Sequence, residues 1–278
     1  MLAGRSWKPA GDHAGGFFLL RQAARQCLLR SMNDADSGSR EESGGADAPL
    51  RRAAFYVDGF NFYHALDELN QPHLKWLDWA ALAKLIATPA GERVERIVLC
   101  TAKPKHRPPD VQDRHQTYMD ALRAREIIVR EGWFLAERVE CRDPRCRASP
   151  GTWQRHTEKE GDVSLALSLV EDAYEDRFDT AYLVTSDNDQ APTLDLLRQR
   201  FGPASPKPKK VVVVFPTWRK TGASSNLASR AATARLSEAM VAQCLLPRDV
   251  LWRPKPGVLR RIQRPPRYDP PPVTRGQA

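Results

Sequence analysis

The sequence lacks any long hydrophobic run, and it has few cysteines for its 278 residues. No stretch approaches the ~20 consecutive apolar residues that cross a bilayer, which excludes an integral membrane protein and a membrane partner. An odd number of scattered cysteines does not build a secreted disulfide framework. We therefore expect a cytoplasmic protein with reduced thiols at Cys27, Cys100, Cys141, Cys146 and Cys244.

Also missing are the motifs of three large enzyme classes. Lys220-Thr221 has no glycine at the spacing of a phosphate-binding GxxxxGK[ST] loop. A glycine-rich dinucleotide fingerprint is absent after the first predicted strand. Nothing resembles a nucleophile elbow or a Ser-His-Asp set. The chemistry must therefore depend on other residue types.

Positive charge is present but unevenly distributed. The formal net charge is +9, from 43 basic and 34 acidic residues. Residues 1–49 hold six residues of each sign, and residues 247–278 hold eight basic and two acidic residues. Two thirds of the net charge thus lies at the C-terminal end, and the middle of the chain is nearly balanced.

The two ends of the chain are polar, and we predict that both are disordered. Residues 1–50 end in a linker of Ser, Gly, Asp and Glu that cannot form a core. Its arginine-rich start is typical either of an organellar transit peptide or of an extension that precedes a true start at Met32. Residues 248–278 are rich in proline and arginine, which predicts a tail that tethers nucleic acid or only solubilises the protein. Residues 51–247 remain as one domain.

In this middle segment, short β-branched runs alternate with longer segments of helical period. This pattern predicts an α/β fold with a mostly parallel central sheet flanked by helices. Val211–Val214 is apolar at every position, as expected for a strand covered on both faces. We predict strands at Ala53–Val57, Arg96–Thr101, Trp133–Val139, Ala181–Thr185 and Val211–Phe215, and helices at Trp79–Ala87, Val111–Glu131, Val163–Asp176, Ala191–Phe201 and Asn226–Gln243.

Acidic residues follow two of the predicted strands at the point where each strand ends. Asp58 follows the first strand, Asp187 and Asp189 follow the fourth, and Asp162 begins the helix before the fourth. Because ligands of such sheets bind beyond the carboxyl ends of the strands, we expect these carboxylates to converge. Close carboxylates repel one another unless a cation lies between them, and all-oxygen ligation suits Mg²⁺ or Mn²⁺. The sequence predicts a metal centre of the kind that cleaves phosphodiester bonds.

Polar neighbours accompany these aspartates. Asn61 offers an amide that could orient a ligand, and Thr185 and Ser186 could donate to phosphate or to an adjacent carboxylate. Taken singly, Asp58 or Asp187 fits a helix cap better than a metal ligand. Taken together at one sheet edge, the aspartates favour the metal.

Three segments carry a resemblance: Tyr56–Asn61 (YVDGFN), Glu158–Val163 (EKEGDV) and Leu183–Asp189 (LVTSDND). They resemble the successive signatures of the NYN domain family, the LabA-like branch of the PIN-like nucleases. The resemblance covers about residues 52–247 and implies a Rossmann-like PIN fold with metal-dependent RNA cleavage. It implies metal ligands at Asp58, Asp162 and Asp187, and catalytic roles for these three, Asp189 and Asn61.

Two departures from the family pattern bear on activity and cofactors. Many relatives have an Ala-Asp pair in the last helix where this chain has Ala232-Thr233, so a non-cleaving RNA-binding or regulatory module stays an alternative. Relatives also often carry paired cysteines near the third strand. Here Cys141 and Cys146 precede His156 without an evident fourth ligand, which argues against a structural Zn²⁺.

Basic residues are predicted to flank the acidic centre, which fits a single-stranded RNA partner. They are Lys103, Lys105 and Arg107 after the second strand, and Arg219 and Lys220 after the fifth. Trp153 and Trp218 could stack on unpaired bases, although either is more simply a support for a loop. The sequence leaves the RNA target and a homo-oligomeric state open.

Overall fold

The computed structural model describes residues 49–143, 145–147, 151–219 and 224–272. The extension predicted for residues 1–50, with its arginine-rich start and Met32, lies outside these ranges except for its last two residues, and so does Lys220. None of the described helices is both long enough and apolar enough to cross a bilayer.

A mostly parallel seven-stranded sheet forms the centre of the fold, as predicted. Its strands are β1 (Arg51–Asp58), β2 (Glu92–Ala102), β3 (Ile128–Cys141), β4 (Gly151–Lys159), β5 (Thr180–Val184), β6 (Lys210–Pro216) and β7 (Ala232–Leu236). Their spatial order is β4-β3-β2-β1-β5-β6-β7, and β4 alone among them runs antiparallel to its neighbour. The five strands predicted from sequence are confirmed as β1, β2, β3, β5 and β6.

Helices flank this sheet. They are α1 (Gly59–Asp67), α2 (Trp79–Ala87), α3 (Pro109–Ala124), α4 (Gly161–Tyr174), α5 (Ala191–Phe201), α6 (Ser225–Ala228) and α7 (Glu238–Gln243). On one face, Leu165 and Leu169 of α4 pack into a buried cluster with Tyr56, Leu183 and Val213 of the sheet. Leu165 and Leu169 thus form the inner face of α4, because residues i and i+4 share one side of a helix.

Two predicted helices are wrong in extent. The helix expected at Val111–Glu131 ends at Ala124, since Ile128 is already paired with β2 and its β-branched side chain suits a strand. The helix expected at Asn226–Gln243 is instead the short α6, the edge strand β7 and α7. Residues 232–236 pair with β6 instead of continuing the expected helix, so Thr233 lies on a strand.

The proline-rich C-terminal segment is folded as far as Tyr268, which corrects our prediction for residues 248–278. Strands β8 (Asp249–Lys255) and β9 (Val258–Gln263) form an antiparallel hairpin that turns at Gly257, where φ is +76°. Pro254 lies where the hairpin register shifts, a place that tolerates a residue without an N–H. Ile262 and Tyr268 are buried, so this proline-containing segment is packed against the rest of the domain.

Candidate active site

The crevice that could hold a ligand lies between β1 and β5. From β1 the chain continues through β2 to β3, whereas β5 pairs with the other side of β1. Connections that leave two such strands in opposite directions open a crevice at their carboxyl ends. Asp58 ends β1, and residues 185–189 follow β5, so two of the sequence motifs meet at this crevice.

Asp58 is buried at the end of β1, and both of its carboxylate oxygens accept hydrogen bonds. The Asn61 backbone N–H donates to Oδ1 at 3.0 Å, and the Thr185 hydroxyl donates to Oδ2 at 2.9 Å. Asp58 therefore does cap α1, as the simpler interpretation predicted. Gly59 is required next to it, because a Cβ there would lie 2.6 Å from the carbonyl oxygen of Cys100.

Three aspartates converge near Asp58, whose carboxylate interacts with the charges of two of them. Asp162, Asp187 and Asp189 each place a carboxylate oxygen within 4.8 Å of the others. Asp162 stands in the first turn of α4, and Asp187 accepts the backbone N–H of Asp189 at 3.0 Å. Gln190 joins the two segments, since its side-chain amide donates to the Asp162 carbonyl at 3.2 Å. Three of the four aspartates expected to converge thus form one group, and Asp58 is not a member of it.

Glu158 is a further carboxylate of the site, and sequence reasoning did not assign it. It lies on β4 opposite Phe134 of β3, and its Oε1 is buried with no hydrogen-bond partner among the described residues. Burial, followed by the charges of Asp58 and Asp162, raises the pKa of Glu158 to about 7. A Cβ at Gly161 would lie 2.1 Å from Oε1, so glycine makes room for this carboxylate.

Burial, and then neighbouring negative charge, raises the pKa values of Asp58, Glu158 and Asp162 above the usual range of carboxyl groups. Burial is the main cause for Asp58, whose pKa is raised to about 6, and the charges of Asp162 and Asp187 add to it. The pKa of Asp162 is raised by burial and by Asp187 and Asp189. A set of acidic oxygens that repel one another in a crevice fits a hard divalent cation such as Mg²⁺ or Mn²⁺.

Asn61 connects three segments around this centre. Its side-chain oxygen accepts from the Ser186 backbone N–H at 3.3 Å and from Arg219 Nη1 at 3.2 Å. Arg219 is held in turn by Glu68, 3.2 Å from its Nε. The Ser186 hydroxyl is buried with no hydrogen-bond partner among the described residues, so it is available to a ligand. Asn61, Ser186 and Arg219 are therefore brought together beside Asp58.

The other predicted basic residues lie on the loop that leaves β2. Lys103 is 3.5 Å from Glu131, which partly neutralises it. Lys105 and Arg107 are exposed. The structure thus places Arg219 against Asn61, whereas Lys103, Lys105 and Arg107 lie on the loop after β2 at the same edge of the sheet. Lys220 lies outside the described residues.

The two tryptophans differ in their surroundings. Trp218 donates its indole N–H to the Ala65 carbonyl at 2.7 Å and packs against Phe62. It therefore supports α1, as the simpler interpretation held. Trp153 is exposed on the edge strand β4.

The structure also locates the residues at which the sequence departs from the family pattern. Thr233 pairs in register with Val213, so it lies on the far side of β6 from the crevice. Cys141 pairs with Gly151, five residues along β4 from His156, or about 16 Å at strand spacing. His156 instead stacks on His106, with ring centroids 4.1 Å apart. Cys141 and His156 therefore cannot share one zinc ion in this arrangement.

Residues 52–231 match the family model of the NYN domain. This chain belongs to the NYN domain family. A curated relative is 6-hydroxy-3-succinoylpyridine 3-monooxygenase HspA of Pseudomonas putida (strain DSM 28022 / S16), which is 25% identical over 240 residues, or 74% of this chain and 74% of that protein. A solved structure, that of a protein of unknown function (VPA0982) from Vibrio parahaemolyticus RIMD 2210633, is similar over 73% of this NYN chain and 100% of its own. That likeness has a TM-score of 0.41 and 21% identity.

Proposed function

We propose that this NYN protein is a cytoplasmic, divalent-metal-dependent ribonuclease that cleaves single-stranded RNA. The observation that carries the proposal is the convergence of Asp162, Asp187 and Asp189 oxygens within 4.8 Å at the switch point of the sheet. The NYN family belongs with the PIN-like nucleases, and the acidic cluster fits the metal chemistry that such enzymes need.

The donor set determines which ion would fit. Asp162, Asp187 and Asp189 would hold it through carboxylate oxygens, and Mg²⁺ or Mn²⁺ accepts such ligands together with water and phosphate oxygens. When bound, such an ion activates water and stabilises the charge that develops on a phosphate. Asp58 and Glu158 add negative charge near the three aspartates, and neither has a basic ion-pair partner in the described ranges.

The neighbouring residues would position the substrate. Arg219 is fixed by Glu68 and Asn61, so its guanidinium is pre-organised for a phosphate oxygen. The unpartnered hydroxyl of Ser186 would donate to the same group. Thr185 holds Asp58 and also accepts the Asp187 N–H at 3.0 Å, so it sets the distance between the two motifs.

A cleavage assay on the full-length protein tests this proposal. Labelled single-stranded RNA and DNA and double-stranded RNA are incubated with Mg²⁺, Mn²⁺ or a chelator. We expect cleavage of single-stranded RNA with either metal and none with the chelator. Asp187→Asn should slow cleavage at least about 100-fold, since even indirect partners of a metal contribute 10- to 100-fold. Asp195→Asn, at a surface aspartate of α5, is the matched control and should keep the wild-type rate.

The competing function is an RNA-binding module that does not cleave. Thr233 does not distinguish the two functions, because it lies on the far side of β6 from the crevice. The module is supported if the wild type binds RNA but cleaves no faster than Asp187→Asn with Mg²⁺ and with Mn²⁺. Chelator-resistant cleavage that persists in Asp187→Asn would contradict both functions, because the activity would not belong to this site.

A further inference from the structure

An aromatic cavity of about 300 Å³ lies beside the carboxylate centre. Its wall includes Gly59 and Phe60, the two residues that follow Asp58, and Phe134, which lies opposite Glu158. The cavity therefore begins where the acidic crevice ends. Its size is at the lower limit of cavities that enclose a small organic ligand.

Rings in mutual contact form one side of this cavity. Phe134 lies edge-on to Phe60 and His106, with ring centroids 5.6 and 4.6 Å away, and Phe60 meets His64 at 4.5 Å. Tyr118 of α3 and Tyr268, which the C-terminal segment supplies, also line the cavity. Aromatic faces around a cavity of this size suit a flat ring, because planar groups stack with little loss of entropy.

A second, basic cavity of about 380 Å³ shares a wall with the first. Tyr63 and Tyr268 line both, and Arg107, Arg114 and Arg267 line the basic one. Arg114 is paired with Asp110 at 2.5 Å. Arg107 and Arg267 are exposed, and neither has an acidic partner within ion-pair distance in the described part of the chain. Their charge is thus available to an anion.

We propose that the two cavities form a nucleotide subsite for the RNA strand. One unpaired base stacks in the aromatic cavity, and its phosphate contacts Arg107 and Arg267 in the basic cavity. Charge complementarity and the shared wall identify this occupant, since a nucleotide combines a flat ring with an adjacent anion. The inference rests on the proposed function, because it makes the strand continue from the carboxylate centre into the cavities.

The C-terminal segment gains a role from this arrangement. Tyr268 and Arg267 belong to the turn that follows β9, and Tyr268 is buried between the two cavities. Without this turn neither cavity would be closed on that side. In this proposal the positive charge of the C-terminal end binds RNA at a defined subsite, in addition to its contribution to the net charge of the protein.

Binding of a 12-nucleotide single-stranded RNA, measured in chelator by fluorescence anisotropy, tests the subsite without cleavage. Phe134→Ala and, as an exposed second variant, His106→Ala should each weaken binding about fivefold or more, as expected for a stacked base. The slope of log K against log salt concentration measures how many phosphates the protein neutralises. In the double variant Arg107→Ala/Arg267→Ala this slope should be shallower by about 0.7 for each phosphate that is no longer neutralised. Arg200→Ala is the matched control, because α5 ends at the opposite edge of the sheet.

A set of RNAs with one abasic position each identifies the stacked base. At one position the abasic RNA should bind the wild type about fivefold or more weakly. The same RNA should bind Phe134→Ala no more weakly than the intact RNA binds that variant, since both changes remove the same stacking interaction. Thermal unfolding confirms that each variant is folded.

Three results would overturn the subsite. The first is unchanged RNA binding in both ring variants and in the double arginine variant, even if the wild type cleaves RNA. The second is wild-type protein that binds no RNA in chelator. The third is a mononucleotide that displaces the RNA with equal or higher affinity, because the cavities would then serve a free nucleotide. Loss of cleavage alone would affect the proposed function but not this measurement.

Discussion

The two edges of the central sheet are both rich in carboxylates, but only one edge neutralises them. At the amino edge, Asp179 accepts the backbone N–H and the guanidinium of Arg52, and Asp176 is paired with Arg52, Lys207 and Lys209. These partners hold the pKa values of both aspartates below the usual range, with hydrogen bonds as the main cause.

On α4, Asp172 is fully buried and is also paired with basic residues, although its Oδ1 accepts no hydrogen bond among the described residues. Tyr56 donates its hydroxyl to Asp172 at 2.7 Å, and Arg96 and Arg177 approach its two oxygens at 2.6 and 3.3 Å. The contact of Arg96 is an ion pair whose angle departs from that of a hydrogen bond. Burial, and then the bond to Asp172, raises the pKa of Tyr56.

At the carboxyl edge, Asp58, Glu158, Asp162, Asp187 and Asp189 have no Lys, Arg or His within ion-pair distance in the described ranges. The same residue type thus stabilises the fold at one edge and opposes it at the other. Unneutralised acids persist where something other than stability requires them. The difference supports the proposed role of the carboxylates at the carboxyl edge without reference to relatives.

The largest expected effect is on stability and comes from the compensated side. Asp172→Asn should lower the free energy of unfolding by about 3 kcal/mol or more, because two arginines lose their buried counter-charge. Urea denaturation at pH 7 measures the loss, with Asp195→Asn as the surface control. A loss below about 1 kcal/mol would mean that water compensates Arg96 and that the two edges do not differ as we describe.

The same substitution at the other edge should act on cleavage and not on folding. Asp58→Asn keeps the cap of α1, since its amide oxygen still accepts the Asn61 N–H, and it removes a buried charge. We expect cleavage to fall about 100-fold, equal to ~2.7 kcal/mol of transition-state stabilisation. The melting temperature at pH 8 without metal should stay equal or rise. A folded variant with wild-type metal-dependent cleavage would remove Asp58 from the site.

The third prediction concerns pH. Asp58 and Glu158 have pKa values near 6 and 7 in the folded protein, above those of ordinary carboxyl groups, so the folded state binds more protons than the unfolded state between about pH 4 and 7. Without metal, stability should therefore fall as the pH rises through this range, by on the order of 2 kcal/mol.

Mg²⁺ should reverse this loss. Because a cation binds the ionised carboxylates, it should raise the melting temperature at pH 8 and have little effect at pH 5. Calorimetry at the two pH values, with and without Mg²⁺, measures both changes. Asp187→Asn should reduce the gain from Mg²⁺. An equal gain at both pH values would show that the ion binds elsewhere.

Much of this fold could be predicted, because the central strands carry their own signal. Val211–Val214 is apolar at every position, and Asp58 and Asp187 follow strands at positions that parallel pairing brings to one edge. The edge strand β4 and the separate hairpin of β8 and β9 carried no such signal in the sequence. β4 is polar at nearly every position, and the hairpin of β8 and β9 contains prolines that are typical of disordered chain. Their order comes from pairing and packing with distant residues.

The site shows the same limit. Asp162 and Asp189 could be found because they belong to motifs at element ends. Glu158 could not, since its place beside Asp58 depends on the register of β4 with β3, and no local pattern fixes that register. Lys103 was predicted to bind substrate, but its partner Glu131 is 28 residues away in sequence and becomes close only through the parallel pair.

The smallest expected effect is on stability, and the direction of its pH dependence distinguishes the two edges of the sheet. Asp179→Asn should cost no more than about 1 kcal/mol at pH 7, because its ion pair with Arg52 is partly exposed. Since Arg52 lowers the pKa of Asp179, the contribution of this carboxylate is present above its usual pKa and disappears as the pH falls below it. Wild type and variant should therefore differ in urea denaturation at pH 7 and converge as the pH falls through the lowered pKa of Asp179. That dependence is opposite to the one expected for Asp58, so a difference that grows on acidification would contradict the assignment of the two edges.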